Sequence, residues 1–87
     1  MIRDVRFGSM LHEIRLKNRE TLRAYCLKRG FDSGNISKLE RNLISPPNTK
    51  RQLDKYLTGM KYSEFDYELL MTASVNFHSA QLLKRFT

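Results

Sequence analysis

The chain has 87 residues, 40% of them apolar, with a single Cys and no Trp. That length carries one small core, and one Cys excludes both an internal disulfide and a cysteine-rich zinc site. Net charge is +7 with a sequence pI of about 9.9, which favours an acidic partner, and no apolar run reaches the length of a membrane span.

The opening MIRDVRFGSM lacks the apolar stretch of a signal peptide, so a cytoplasmic protein is expected, with Met1 to Asp4 as a loose end and Asp4 or Val5 as candidates for the start of the first helix. Phe7, Met10, Leu11 and Ile14 have the one-sided spacing of an amphipathic helix running to about Lys17. Asn18 to Glu20 form a polar turn, and Thr21 caps a second helix with Leu22, Tyr25 and Cys26 on its apolar side. Cys26 there reads as a small core filler. Lys28 and Arg29 read as solvated charges that extend a basic surface. Gly30 suits a helix stop, Phe31 an apolar plug and Asp32 the cap of a third helix, Ser33 to about Arg41. That helix buries Ile36 and Leu39 and turns Ser33, Gly34, Ser37, Lys38 and Arg41 outward. Leu43 and Ile44 read as core. Ser45-Pro46-Pro47 forces an extended link. Asn48 or Thr49 then caps a fourth helix that buries Leu53, Tyr56 and Leu57 and stops at Gly59. Ser63, with Asp66 three residues on, starts a fifth.

By this point the residues carry a family resemblance. Leu11, Ile14 and Arg15, then Thr21-Leu22-Arg23, Gly30, the run Ile36-Ser37-Lys38-Leu39-Glu40-Arg41 and Ser45-Pro46-Pro47 resemble the Cro/repressor-type (Xre) helix-turn-helix family of bacterial and phage DNA-binding proteins. The likeness spans roughly Phe7 to Gly59. Tyr25-Cys26, Arg29, Gly34 and Asn42 depart from the family pattern; Arg29 stands where an apolar residue is usual and Gly34 at a base-reading position. The resemblance implies an all-α, compact five-helix, lambda-repressor-like domain whose helices 2 and 3 form the helix-turn-helix. It implies a largely buried ion pair between Arg15 and Glu40, and double-stranded DNA as the partner.

Charge agrees with that expectation, because Met1 to Gln52 hold 12 Lys/Arg against 5 Asp/Glu while Leu53 to Thr87 hold 4 of each. The whole excess lies on the part that would face phosphates. Base reading is expected from Ser33, Gly34, Asn35, Ser37 and Lys38, with Lys38 suited to the O6 and N7 acceptors of guanine. Phosphate contacts are expected from Arg19, Thr21, Leu22, Arg23, Arg41 and Asn42, at the start of helix 2 and the exit of helix 3. Lys50 and Arg51 crowd the first turn of helix 4, which a nearby phosphate would relieve.

Residues 1–60 are thus read as the DNA-binding domain and 61–87 as a C-terminal helix and tail. Phe65, Leu69, Leu70, Phe77, Leu82 and Leu83 form more apolar surface than so small a core absorbs, with Met71, Ala73, Val75 and Phe86 alongside. They are read as a dimer or partner surface. A homodimeric repressor is expected, and an antitoxin that neutralises a toxin or other protein partner is the alternative. A basic RNA-binding protein ranks third. Residues 76–87 are open between helix, strand and arm. His12-Glu13 begins like a zinc-protease motif but lacks the second His, and His78 has no evident partner. No catalytic site, cofactor or metal is expected.

Overall fold

Four neutral or acidic side chains start helices by accepting an otherwise unpartnered N–H, and the helices follow from them. The computed structural model describes residues 4–85, with side chains described through Gln81. It is all-α: α1 (Phe7–Lys17), α2 (Leu22–Arg29), α3 (Ser33–Glu40), α4 (Lys50–Leu57) and α5 (Glu64–Arg85), with no strand among the described residues. Thr21 Oγ1 accepts from Ala24 N at 3.1 Å and Asp32 Oδ2 from Asn35 N at 2.9 Å. Thr49 Oγ1 accepts from Gln52 N at 3.2 Å and Ser63 Oγ from Asp66 N at 3.0 Å. Residues with positive φ end the first four helical units: Arg19 (55°), Gly30 (70°), Asn42 (61°) and Gly59 (75°). At the α3 exit, Leu43 N–H reaches Lys38 O and Asn42 N–H reaches Leu39 O, both at 2.9 Å, a Schellman turn with Asn in the left-handed position.

The core is centred on α1, whose Phe7, Met10, Leu11 and Ile14 are buried against Tyr25, Cys26, Ile36, Leu39, Leu53, Leu57, Met60 and Leu70. α1 packs on α3 and α5, and α2 packs on α3. A row of rings closes one side: Phe7 to Tyr56 at 6.3 Å between centroids, Tyr56 to Phe31 at 4.9 Å and Phe31 to Tyr25 at 6.0 Å. Tyr25 is fully buried because its hydroxyl donates to Tyr56 O at 2.6 Å. The approach of α1 to α3 is closest at Gly8, where a Cβ would overlap the Leu39 carbonyl oxygen. Asn42 uses both ends of its amide there. Its Oδ1 accepts from Gly8 N and its Nδ2 donates to Ser9 Oγ, each at 2.9 Å. The exit of α3 therefore caps the start of α1.

Several expectations need correction. Leu43 and Ile44 are 62% and 40% exposed rather than core. The Schellman turn sends them across the surface, and Pro46 and Pro47 are buried instead. Of the two readings of Asp4, loose end or mark of the first helix start, the structure agrees with the second: Arg6 and Ser9 hold it at α1 through 3.0 and 2.7 Å hydrogen bonds to its carboxylate; residues 1–3 lie outside the described residues. His78 has a partner, its Nε2 lying 3.0 Å from Pro46 O. Leu70 is fully buried in the core and is not available to a partner. Residues 76–85 are helical, while Phe86 and Thr87 lie outside the described residues.

The Gly8 contact gives a stability test. Gly8→Ala forces backbone apart at the α1–α3 crossing, and is expected to cost about 3 kcal/mol, the upper end for overpacking, in urea denaturation.

Candidate nucleic-acid interface

α3 divides cleanly by side-chain chemistry. Ile36 and Leu39 lock into the core, while Ser33, Gly34, Asn35 and Lys38 are exposed and Ser37 is half-buried. Its 8 residues make a rod about 12 Å long. Such a rod, with short polar groups at its start and an ammonium in its last turn, has the dimensions and donors for a major groove. Arg41 follows directly and is exposed, with its Nε turned back to Ser37 O at 3.3 Å.

The start of α2 lies in the same unit, joined to α3 through Gly30, Phe31 and Asp32. Thr21 satisfies the Ala24 N–H, and the N–H groups of Leu22 and Arg23 have no acceptor within the helix. Arg23 and Arg19 are exposed beside them. Backbone donors, a helix dipole and two guanidinium groups together favour an anion. Asn42 does not join this set. Its backbone N–H serves Leu39 and its amide is committed to Gly8 and Ser9 at the start of α1, so its polar groups are engaged within the fold.

Two buried ion pairs hold the unit in place. Arg15 Nε lies 2.7 Å from Glu40 Oε2 and its Nη2 2.9 Å from Oε1, with the two side chains only 8% and 7% exposed. Arg15 Nη1 also donates to Glu20 O at 2.9 Å. His12 Nδ1 sits 3.0 Å from Glu40 Oε1 and 3.1 Å from Arg15 Nη2, donating to the carboxylate or accepting from the guanidinium according to its tautomer. Burial alone would raise the Glu40 carboxyl, but hydrogen bonds from Arg15 and His12 outweigh it and hold the group below its ordinary 4.5.

The second pair was missed in the sequence. Arg29, read there as a solvated charge, has a side chain only 3% exposed. Its Nη1 is 2.9 Å from Glu20 Oε2 and 3.0 Å from Tyr25 O, its Nη2 3.3 Å from Glu20 Oε1, and its Nε 2.9 Å from Thr58 O. The guanidinium also lies over the Tyr25 ring, 4.1 Å from the centroid. Hydrogen bonding from Arg29 lowers the Glu20 carboxyl below 4.5. The signal for this pair was Arg29 itself, a charge at a position where the resembled family is apolar.

The apolar residues expected at a partner surface differ in exposure. Phe65 is 63% exposed and Leu69 and Phe77 are half-buried, while the side chains of Leu82 and Leu83 lie outside the described residues. Met71 and Val75 add exposed apolar surface on α5. A recess of about 410 Å³ between the start of α1 and α5 is lined by Val5, Ile44, Ala73 and Phe77 among others. Among the described residues no group of three or more His, Cys, Asp or Glu could hold a metal ion, and no helix is long and apolar enough to cross a membrane. The Cys26 thiol is buried and pushed up by that burial. No protein-family model, curated protein or solved structure matches the chain.

Two stability outcomes follow from the ion pairs. Glu40→Gln leaves Arg15 buried and uncompensated and is expected to cost about 3 kcal/mol, whereas Arg15→Met with Glu40→Leu should recover most of that loss in urea denaturation. Glu20 and Glu40 titrate below their unfolded value, so the unfolded state takes up protons first as the solution is acidified. Their contribution is complete at about pH 7 and is lost as pH falls below about 4.5. The urea midpoint should drop between those conditions, and more steeply for the wild-type chain than for Glu20→Gln/Glu40→Gln.

Proposed function

We propose that the chain is a sequence-specific, double-stranded DNA-binding transcriptional regulator, acting as a repressor, with α2 and α3 as its helix-turn-helix. The observation that carries this reading is the pairing of a buried and an open face on α3. Ile36, Leu39 and the Arg15–Glu40 pair fix the helix, while Ser33, Gly34, Asn35 and Lys38 stand free of the core. The arrangement separates two kinds of contact. Arg19, Arg23, Arg41 and the first N–H groups of α2 would hold phosphates and set the register, and the α3 side chains would read base edges. The concentration of net positive charge in residues 1–52 supports the same assignment.

A homodimer is part of this proposal. A two-fold pair would set two copies of α3 in successive major grooves of a palindromic site. The neutral half beginning at Leu53 and the exposed Phe65, Met71 and Val75 on α5 favour association there, away from the basic face. The same apolar surface favours a second reading, an antitoxin that autoregulates its operon and neutralises a partner toxin. Co-expression with a small toxic protein encoded next to it should then restore growth, and that rescue should be lost with Phe65→Glu/Val75→Glu.

Selection of bound sequences from a random duplex pool at near-physiological salt tests the primary reading, with a palindromic motif as the expected result. Lys38→Ala should then weaken binding by about 1–3 kcal/mol and relax preference at one base pair of each half-site. Arg23→Ala should instead weaken all sequences alike and reduce the salt slope by about 1. Fluorescence anisotropy across a salt series distinguishes the two.

A further inference from the structure

Ser74 on α5 is 7% exposed, and its buried Oγ has no hydrogen-bond partner among the described residues. Buried hydroxyls are normally partnered, because taking one out of water unpaired is costly. Alanine would fill the same place and favour the helix more. Ser74 lines an open recess of about 340 Å³ between α4 and α5. Met71, Ser74, Val75 and His78 there follow the three- and four-residue spacing of one helical face, so the Ser74 side chain is directed toward the recess. The nearby polar groups are turned elsewhere, His78 Nε2 to Pro46 O and Thr49 Oγ1 to Gln52 N.

The facing wall is the start of α4. Asn48 N–H reaches Gln52 Oε1 and Gln52 N–H reaches Thr49 Oγ1, whereas the N–H groups of Lys50 and Arg51 have no acceptor within the helix. No acidic side chain stands in this first turn, and Lys50, which lines the recess, adds its charge to the positive end of the dipole. Pro47, Leu53, Met71 and Val75 make most of the remaining wall apolar. We propose that this recess binds a small organic carboxylate with an apolar body. The carboxylate accepts from the Ser74 hydroxyl and is favoured by Lys50 and the α4 start, while the body covers Leu53, Met71 and Val75. A phosphate ion has the charge but no body for these walls. A neutral apolar molecule has the body but leaves the hydroxyl and the N–H groups unmatched. The site stands apart from α2 and α3 and does not depend on the DNA-binding reading.

Titration of octanoate into the full chain, followed by backbone amide NMR, tests the proposal. Octanoate should bind saturably and shift the amide signals of Lys50, Arg51 and Ser74. Acetate lacks the apolar body and octylamine reverses the charge, so each should bind at least about tenfold more weakly. Ser74→Ala should weaken octanoate by about tenfold through loss of one charge-assisted hydrogen bond. Without ligand this variant should melt no lower than the wild-type chain, since it removes an unpaired hydroxyl. A lower melting temperature shows the hydroxyl serving the fold and overturns the proposal. Inorganic phosphate binding as well as octanoate assigns a bare-anion site, and octylamine binding as well assigns general apolar adsorption; either overturns it. So does octanoate affinity unchanged by Ser74→Ala, or binding lost as chain concentration rises, which assigns the recess to a second copy. If Ser74→Ala does not fold, Lys50→Gln supplies the affinity comparison.

Discussion

The arrangement of the first three helices depends on Arg15. One guanidinium, on the border of the apolar stripe of α1, bonds both oxygens of Glu40 near the end of α3 and the Glu20 carbonyl ahead of α2. A neutral amide offers two N–H donors, too few for the three bonds that this guanidinium makes at once. Removing two charges from water offsets most of their attraction, so the net stabilisation from the intact pair is small. Its directional bonds constrain where α3 can sit relative to α1. Gly8 and Asn42 act at the other end of the same crossing, by close approach and by capping. α3 is thus tied to α1 near both ends, and the apolar contacts of Ile36 and Leu39 need only fill the space between.

Glu20 links this system to the second. Its carbonyl accepts from Arg15 and its carboxylate pairs with Arg29, which also reaches Thr58 at the end of α4. The residue directly ahead of the Thr21 cap is therefore held from two sides, by α1 and by the last turn of α2. Four helices are connected through one residue of a short turn. The turn itself adopts a costly backbone, with Arg19 in the left-handed region where side chains other than Gly and Asn are uncommon. Bonds to the neighbouring Glu20 on both its backbone and its side chain can hold that geometry. Under the proposed function this rigidity would matter, since Arg19, the cap and the first N–H groups of α2 form one candidate phosphate site.

Much of the fold could be read in the sequence because its signals were local. Thr21, Asp32, Thr49 and Ser63 are caps whose chemistry acts within three residues, and Gly30 and Gly59 stop helices through their own backbone. Leu11, Ile14, Ile36 and Leu39 declared the core by periodicity. What escaped was non-local. Arg29 looks like any exposed basic residue until Glu20 and the Thr58 carbonyl are brought to it across the fold. Asn42 was placed among phosphate contacts because it stands at the α3 exit, yet the start of α1 claims its amide. Leu43 and Ile44 are apolar but follow a turn that points the chain outward, and hydropathy carries no information about that direction. The candidate site was legible for α3, where helical phase separates inward from outward residues. It was less legible on α5, where phase alone could not tell Leu70, which completes the core, from the apolar neighbours left at the surface.

The distribution of charge constrains how two such chains could meet. Like-signed surfaces repel within a Debye length of about 8 Å at physiological ionic strength, which opposes any contact between two copies of residues 1–52. The half beginning at Leu53 carries no net charge. Within it, α5 is 22 residues and about 33 Å long; Tyr67, Leu69, Leu70 and Ala73 pack on the core, Ser74 is buried and His78 reaches Pro46 O. The opposite face of this helix, with Phe65 and Val75 exposed in neutral surroundings, can contact a partner without meeting that repulsion. Duplex DNA would then reinforce the same division of labour, because it screens the basic faces that it bridges and leaves the neutral helices free to define the spacing between them.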